Sequence, residues 1–150
     1  MLSEQEVRKR VKEYFSIAEL IGRRTFRRYG AVAWRFLDYR LLYALLIVRV
    51  GLGRPITVNH GGARQRGLRT IVQQIVRDKF RRGLLYISPH MQGKGVDFDV
   101  EGMTASEVRA WIHTNADLFP FKIRLERGVS WVHLDVVYED KNPHVYSFNP

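Results

Sequence analysis

Two short stretches of the sequence hold side chains that could bind a metal ion, SPHMQGKGVD at 88–97 and WVHLD at 131–135. Histidine and carboxylate side chains are common zinc ligands. The chain has no cysteine, which excludes a thiol nucleophile, a disulfide scaffold and a zinc ion held by sulfur. Metal or nucleophile chemistry in this chain must therefore use His, Asp, Glu, Ser or Tyr.

The two stretches lie on predicted strands whose polar faces can meet. Apolar and acidic residues alternate in VDFDV at 96–100, so Asp97 points away from the apolar side. In the predicted strand 131–138, His133 and Asp135 likewise point away from the apolar side. If both strands belong to one sheet, Asp97 and His133 lie on the same polar face.

A third ligand is available from His90, which precedes the first strand in a glycine-containing loop that can fold back over it. Two imidazoles and one carboxylate make a three-ligand zinc site. Its fourth position would hold a water, which zinc makes acidic enough to be a nucleophile near neutral pH. The spacing also fits a solvated surface, because two histidines and an aspartate on a polar strand face are common.

Sequence signals predict helices in both halves of the chain. A capping-box pattern, in which Ser or Thr is followed three residues later by Glu, marks three helix starts. The pairs are Ser3 with Glu6, Ser16 with Glu19, and Thr104 with Glu107. The second of these helices is expected to stop near Gly30. Periodicity further predicts helices over 32–50, ended by Gly51 and Gly53, and over 68–82.

Short strands are predicted in the second half, at 55–59 and 96–100 and in a hairpin formed by 122–126 and 131–138. Together these elements predict an α+β fold with a small antiparallel sheet, flanking helices and a helical N-terminal third. No repeat or linker is visible. We therefore expect a single domain, in which the first fifty residues give helical support and the remainder carries the metal site.

The charge of the chain predicts an anionic partner. Twenty-five Lys and Arg against fifteen Asp and Glu give a formal net charge of +10. Such a charge favours nucleic acid, a membrane surface or an anionic cell wall. The first fifteen residues lack the apolar stretch of a signal peptide, and the longest apolar run, 41–48, is too short for a bilayer. We expect a monomer that is cytoplasmic on synthesis and has no transmembrane segment.

The two stretches resemble the motifs of the M15 family of zinc peptidases, in the family's order and in a chain of the family's size. The matching residues are Ser88, His90, Gly93, Gly95 and Asp97, then Trp131, His133 and Asp135. The family includes D-alanyl-D-alanine carboxypeptidases, VanX-like dipeptidases and phage L-alanyl-D-glutamate endopeptidases. The resemblance implies a hedgehog/DD-peptidase-like fold, with His90, Asp97 and His133 as ligands of one Zn²⁺ per chain. Gly95 stands where the family usually has alanine.

The resemblance also implies roles around the metal. Arg69 stands where the family has an arginine that binds a substrate carboxylate or stabilises the oxyanion of the scissile carbonyl. Arg64 and Arg66 are alternatives for that role. Asp135 and Ser88 are expected to support the ligands, since a metal-bound histidine usually donates its other ring N–H to a carboxylate or carbonyl.

The general base is the point at which the chain departs from the family. Several members have a glutamate three residues before the second histidine, where this chain has Ser130. Glu126 is the nearest acid, and strand alternation puts it on the metal face. If Glu126 pairs opposite Trp131, it lies one diagonal from His133, at about 7–8 Å between backbones. Glu126 is then the predicted general base; otherwise it is a surface partner for a neighbouring arginine.

The resemblance implies a zinc metallopeptidase that cuts peptide bonds of bacterial peptidoglycan, of the type made by phages or prophages as lysins. An anionic cell wall as partner agrees with the net charge. The alternative is a non-catalytic, zinc-stabilised module that binds the cell wall or another partner, and Ser130 favours it. Specific nucleic-acid binding is not expected, because no recognised motif accompanies the basic residues.

Overall fold

The computed structural model describes residues 1–60, 64–137 and 144–150. Six α-helices and five strands form an α+β fold in which helices flank a sheet, as the sequence predicts. The helices are α1 (Glu4–Val11), α2 (Ile17–Ile21), α3 (Arg23–Tyr29), α4 (Tyr39–Leu52), α5 (Gln74–Arg81) and α6 (Ala105–Thr114). The strands are β1 (Ile56–Thr57), β2 (Gly95–Val100), β3 (Ile123–Glu126), β4 (Val132–Asp135) and β5 (Val145–Phe148). Two 3₁₀ segments lie at Gly30–Phe36 and Ala116–Leu118.

The sheet has the order β1-β2-β4-β3-β5 and is mixed. The pairs β1–β2, β2–β4 and β3–β4 are antiparallel, whereas β3 and β5 run parallel. The predicted purely antiparallel sheet is thus wrong at this edge, because β5 was not foreseen. The hairpin of β3 and β4 is confirmed. β4 ends at Asp135, and residue 138 of the strand predicted over 131–138 lies outside the described residues.

The helical third departs from prediction where glycine and aspartate interrupt the chain. The helix predicted to run from Ser16 to near Gly30 breaks at Gly22, whose φ of 79° favours glycine. The helix predicted over 32–50 begins only at Tyr39, after Asp38 accepts a hydrogen bond from the N–H of Arg40 as its N-cap.

The C-terminal end of α4 and the bounds of α5 also differ from prediction. Gly51 lies inside α4, where the ring of Trp111 takes the space of its missing side chain, and the helix ends at Gly53. The helix predicted over 68–82 covers only Gln74–Arg81, because the preceding residues run as an irregular segment beside the sheet. The capping boxes of α1 and α6 are complete, as predicted.

One face of the sheet and the N-terminal helices share a continuous apolar core. β2 and β4 contribute Val96, Phe98, Val132 and Leu134, and α4 contributes a row of buried leucines. The opposite face of the same strands carries polar side chains, which is the arrangement needed for a site on a rigid support. Within the described residues, no helix is long and apolar enough to span a bilayer.

Candidate metal centre

The pairing of β2 with β4 brings two of the predicted ligands together. In this antiparallel register, Asp97 lies opposite His133, and Gly95 lies opposite Asp135. Because side chains alternate along each strand, Asp97, His133 and Asp135 share the polar face. Asp97 and His133 are each 5% exposed, so the face is covered rather than solvated. The surface interpretation considered for these residues therefore does not describe them.

His90 reaches the same face from a turn that precedes β2. The backbone carbonyl and hydroxyl of Ser88 accept hydrogen bonds from the N–H of Met91, at 3.0 and 3.4 Å, and close this turn. A Cβ at Gly95 would lie 2.7 Å from the Cβ of Pro89. The glycine in place of the family's alanine thus lets the turn lie against the start of β2. Ser88 shapes the turn that presents His90, and no hydrogen bond to a ligand side chain is among its described contacts.

The three ligand atoms form a tight cluster. His90 Nε2 lies 3.3 Å from His133 Nδ1 and 3.3 Å from Asp97 Oδ1, while His133 Nδ1 lies 2.7 Å from Asp97 Oδ1. Zinc with tetrahedral bonds of about 2.0–2.1 Å keeps its ligand atoms about 3.3 Å apart. Two of the three distances already match that spacing. Among the described residues, these three side chains form the group whose ligand atoms lie close enough together to hold a metal ion. All three residues are buried.

Each imidazole is oriented through its other ring nitrogen. His90 Nδ1 lies 2.9 Å from the carbonyl oxygen of Gly67, which can only accept, so this nitrogen carries the proton. His133 Nε2 lies 3.0 Å from Asp135 Oδ2 and donates to that carboxylate. Both arrangements direct the remaining ring nitrogen toward the cluster. Outer contacts of this kind are typical of histidines that bind metal ions.

Asp135 is held in place by β3 of the same sheet. The guanidinium of Arg124 donates to both carboxylate oxygens, at 2.8 and 2.9 Å. The ring of Phe148 lies beneath the guanidinium at 4.6 Å and meets the His133 ring edge-on at 6.0 Å. The predicted supporting role of Asp135 is therefore matched by its contacts with His133.

Arg69 contacts Asp97, one of the three candidate metal ligands, rather than open space. Its Nη2 donates to Asp97 Oδ2 at 3.0 Å, its Nη1 lies 3.1 Å from the hydroxyl of Tyr86, and its Nε donates to the carbonyl of Gln65 at 2.7 Å. These contacts make Arg69 a residue that positions Asp97. The predicted direct contact with substrate stays a prediction. Of the two alternatives, Arg66 pairs with Asp99 instead.

Charge is balanced inside the cluster. Burial alone would raise the pKa of Asp97, but hydrogen bonds and charge from His133 and His90 hold that pKa far below its usual range. Burial alone would lower the pKa of His133, but its hydrogen bonds to Asp135 and Asp97 raise the pKa to about 9. The pKa of Asp135 is also lowered, because His133 and Arg124 outweigh its burial.

Glu126 lies on the same face, in a register different from the one considered in the sequence. Leu125 pairs with Leu134, so the same register continued by one residue sets Glu126 opposite His133 rather than Trp131. Arg109 donates to the carbonyls of Val129 and Trp131, which lie in the connection between β3 and β4. Glu126 is half-buried. Among the described residues, its carboxylate has no ion pair or hydrogen bond.

A cavity of about 420 Å³ lies between the end of β2, the start of β4 and the first turns of α6, and none of the three clustered residues lines it. Its lining includes Asp99, two residues beyond Asp97 on β2, and also Arg109 and Ser130. Ser130, which stands where the family has a glutamate, is exposed. The cavity thus has one carboxylate, Asp99, which pairs with Arg66, and one guanidinium, Arg109, which donates to backbone carbonyls.

Three contacts of the site were missed by sequence reasoning. They are the Gly67 carbonyl on His90, the Tyr86 hydroxyl on Arg69, and the Arg124–Phe148 stack behind Asp135. A carbonyl contact has no signature in residue type. The stack had a weak signal, because VYSF at 145–148 has the composition of a strand.

Comparisons with known proteins add nothing to these contacts. No family model matches the chain, and neither the curated proteins nor the solved structures contain a match.

Proposed function

We propose that the protein is a zinc metallopeptidase that hydrolyses peptide bonds of bacterial peptidoglycan, of the phage or prophage lysin type. The observation that carries the proposal is the buried trio of His90, Asp97 and His133, with both imidazoles held by their outer nitrogens. Two histidines and one carboxylate are a ligand set of catalytic zinc, which keeps a further position for water or substrate. The resemblance of the sequence motifs to those of M15 zinc peptidases supplies the class of substrate.

Each residue near the trio has a distinct task in this proposal. Bound zinc would supply Lewis acidity and a water of lowered pKa. Glu126 accepts a proton from the attacking water and returns it to the leaving nitrogen as the C–N bond breaks. Asp135 and Arg69 keep His133 and Asp97 in their orientations.

The surroundings of the trio support a wall substrate. The net charge of +10 favours approach to an anionic wall. A separate cavity at the end of β2, lined by Asp99 and Arg109, holds one side chain of each charge, which suits the ammonium and carboxylate groups of stem peptides.

Digestion of purified sacculi, read by mass spectrometry, tests the proposal. We expect new peptide ends that disappear with a chelator and return with added zinc. Glu126→Gln should keep the metal and lower kcat by about a hundredfold or more, as expected for a lost general base. Glu101→Gln, at an exposed acid just beyond β2, is the matched control and should retain full activity. Zinc-loaded protein that cleaves no wall of several chemistries would contradict the proposal.

A second candidate is a zinc-stabilised binding module without turnover. The observation that favours it is Ser130 at the position of the family's glutamate, exposed and unable to act as a base. In that case the zinc-loaded protein should bind sacculi in a pull-down without releasing peptides, and Glu126→Gln should leave this binding unchanged.

A further inference from the structure

Four large apolar side chains stand exposed between the end of α5 and the metal-site turn. Leu85 is 92% exposed, Phe80 74%, Ile87 67% and Leu84 44%. Single exposed apolar residues are ordinary, but four within eight positions form a patch of the kind that marks an interaction site. Neither the apolar core nor the trio of metal ligands includes any of them.

The backbone brings segment 84–87 back toward Phe80 at the end of α5. The N–H of Gly83 donates to the carbonyl of Phe80 at 2.9 Å, and the N–H of Leu84 donates to that of Lys79 at 3.0 Å. This hydrogen-bonded turn ends α5 and reverses the chain. The ammonium of Lys79 then lies 5.8 Å from the ring centre of Tyr86. The segment 84–87 therefore runs back beside the last turn of α5.

Basic side chains surround the patch. Four of them accompany the single acid Asp78 within the segment 77–87: Arg77, Lys79, Arg81 and Arg82. Arg81 is 70% exposed along its side chain. An apolar surface bordered by Lys and Arg is the composition of elements that lie in the interface of a membrane.

We propose that the segment 77–87 binds the surface of an anionic lipid bilayer. Its leucines and phenylalanine would enter the boundary between headgroups and acyl chains, while its basic residues contact lipid phosphates. A bilayer offers negative charge and an apolar layer together, which matches both halves of the patch. Nucleic acid offers no comparable apolar layer for Leu85 and Ile87. A second copy of the chain would set like charges against each other.

Cosedimentation with lipid vesicles tests this surface. Vesicles of equal parts phosphatidylglycerol and phosphatidylcholine should bind the chain at least about tenfold more tightly than pure phosphatidylcholine vesicles at about 0.1 M salt. Leu85→Ser combined with Ile87→Ser should weaken binding to the anionic vesicles by about tenfold or more. Leu118→Ser changes an exposed leucine of the 3₁₀ segment Ala116–Leu118 and should leave binding unchanged.

Two double variants that each remove two positive charges separate local contact with the lipid from the effect of overall charge. Arg81→Gln with Arg82→Gln should weaken vesicle binding several-fold more than Arg23→Gln with Arg24→Gln, which removes the same charge from exposed positions on α3. The leucine and isoleucine are largely solvent-exposed, so the serine variants should keep the wild-type melting temperature.

Three outcomes would overturn the proposal. The first is failure of the wild-type chain to bind anionic vesicles. The second is unchanged binding after Leu85→Ser with Ile87→Ser. The third is wild-type self-association in sedimentation velocity that this double variant abolishes, which would assign the patch to a second copy. Sacculus cleavage is independent of all three, so the proposed peptidase activity is tested separately.

Discussion

Asp97 and Asp99 lie two residues apart on the same face of β2, and each is contacted by histidine and arginine. Asp97 meets His90, His133 and Arg69, and its side chain is only 8% exposed. Asp99 pairs with Arg66 and lies 3.8 Å from His60, and its side chain is 45% exposed. The same residue types thus form a buried cluster at one position and a surface ion pair at the next.

The difference shows that residue types alone do not make a metal centre. The histidines at Asp97 are fixed through their outer nitrogens by Gly67 and Asp135, while the only described side-chain contact of His60 is that with Asp99. Burial keeps competing water away from the side chains around Asp97, and the pairing of β2 with β4 fixes their geometry. Matched substitutions around Asp97 and around Asp99 therefore measure what burial and orientation of the side chains contribute to zinc affinity and to stability.

The largest contrast is expected between His133→Ala and His60→Ala. The first variant removes a candidate ligand, so zinc affinity should fall by more than about a hundredfold. Losing only the hydrogen-bond partner of a ligand costs up to about a hundredfold. The second should change affinity by less than about twofold. Competition against a chromophoric chelator measures both. Equal losses of zinc affinity in the two variants would contradict the difference between the residues around Asp97 and those around Asp99.

In the metal-free chain, Asp97→Asn should lower the free energy of unfolding more than Asp99→Asn does. Removing the buried carboxylate leaves His133 and Arg69 without their shared anion, at a cost of about 3 kcal/mol in the free energy of unfolding. The exposed pair of Asp99 with Arg66 should contribute less than about 1 kcal/mol. Urea unfolding in the presence of a chelator gives both values. A larger loss at Asp99 would reverse the ranking.

The hydrogen bond from His133 to Asp135 is expected to have a smaller and more specific effect on zinc affinity. Asp135→Asn removes the charged acceptor of the His133 Nε2–H and should reduce zinc affinity by about ten- to a hundredfold. Asp117→Asn, at an exposed acid, is the control. If Asp135→Asn binds zinc like the wild type, the orientation of His133 is set by packing alone.

The smallest effect concerns Asp38, a carboxylate with an arginine partner and no histidine. Burial would raise its pKa, but hydrogen bonds from Arg40 hold the pKa below its usual value. Its ionised form therefore stabilises the fold above about pH 4, and this contribution is lost as the pH falls through the lowered pKa. Asp38→Ala should cost about 1 kcal/mol near neutral pH.

Asp38→Asn separates the cap of α4 from the charge at that position. Asparagine keeps an acceptor at the helix N-cap, so this variant should lose less stability than Asp38→Ala at neutral pH. On acidification, the difference between wild type and Asp38→Asn should shrink. Urea unfolding at several pH values between 3 and 7 measures it, and a difference that grows on acidification would contradict the assignment.

Sequence reasoning succeeded where the determinants are local. The capping boxes of α1 and α6 depend on residues three positions apart, and strand alternation placed Asp97 and His133 on one face. The parallel pairing of β5 with β3 joins segments about twenty residues apart and leaves no local pattern. The contact of Arg69 with Asp97 could not be foreseen either, because it depends on the path of an irregular segment.

The contacts of the metal centre also order events during synthesis of the chain. Asp97 and His133 are 36 residues apart, and the outer contact of His133 comes from Asp135 still later. A nascent chain emerging from the ribosome presents His90 and Asp97 well before β4 exists. The complete set of candidate ligands therefore forms only when most of the polypeptide has been made, so an ion bound there would enter late in synthesis.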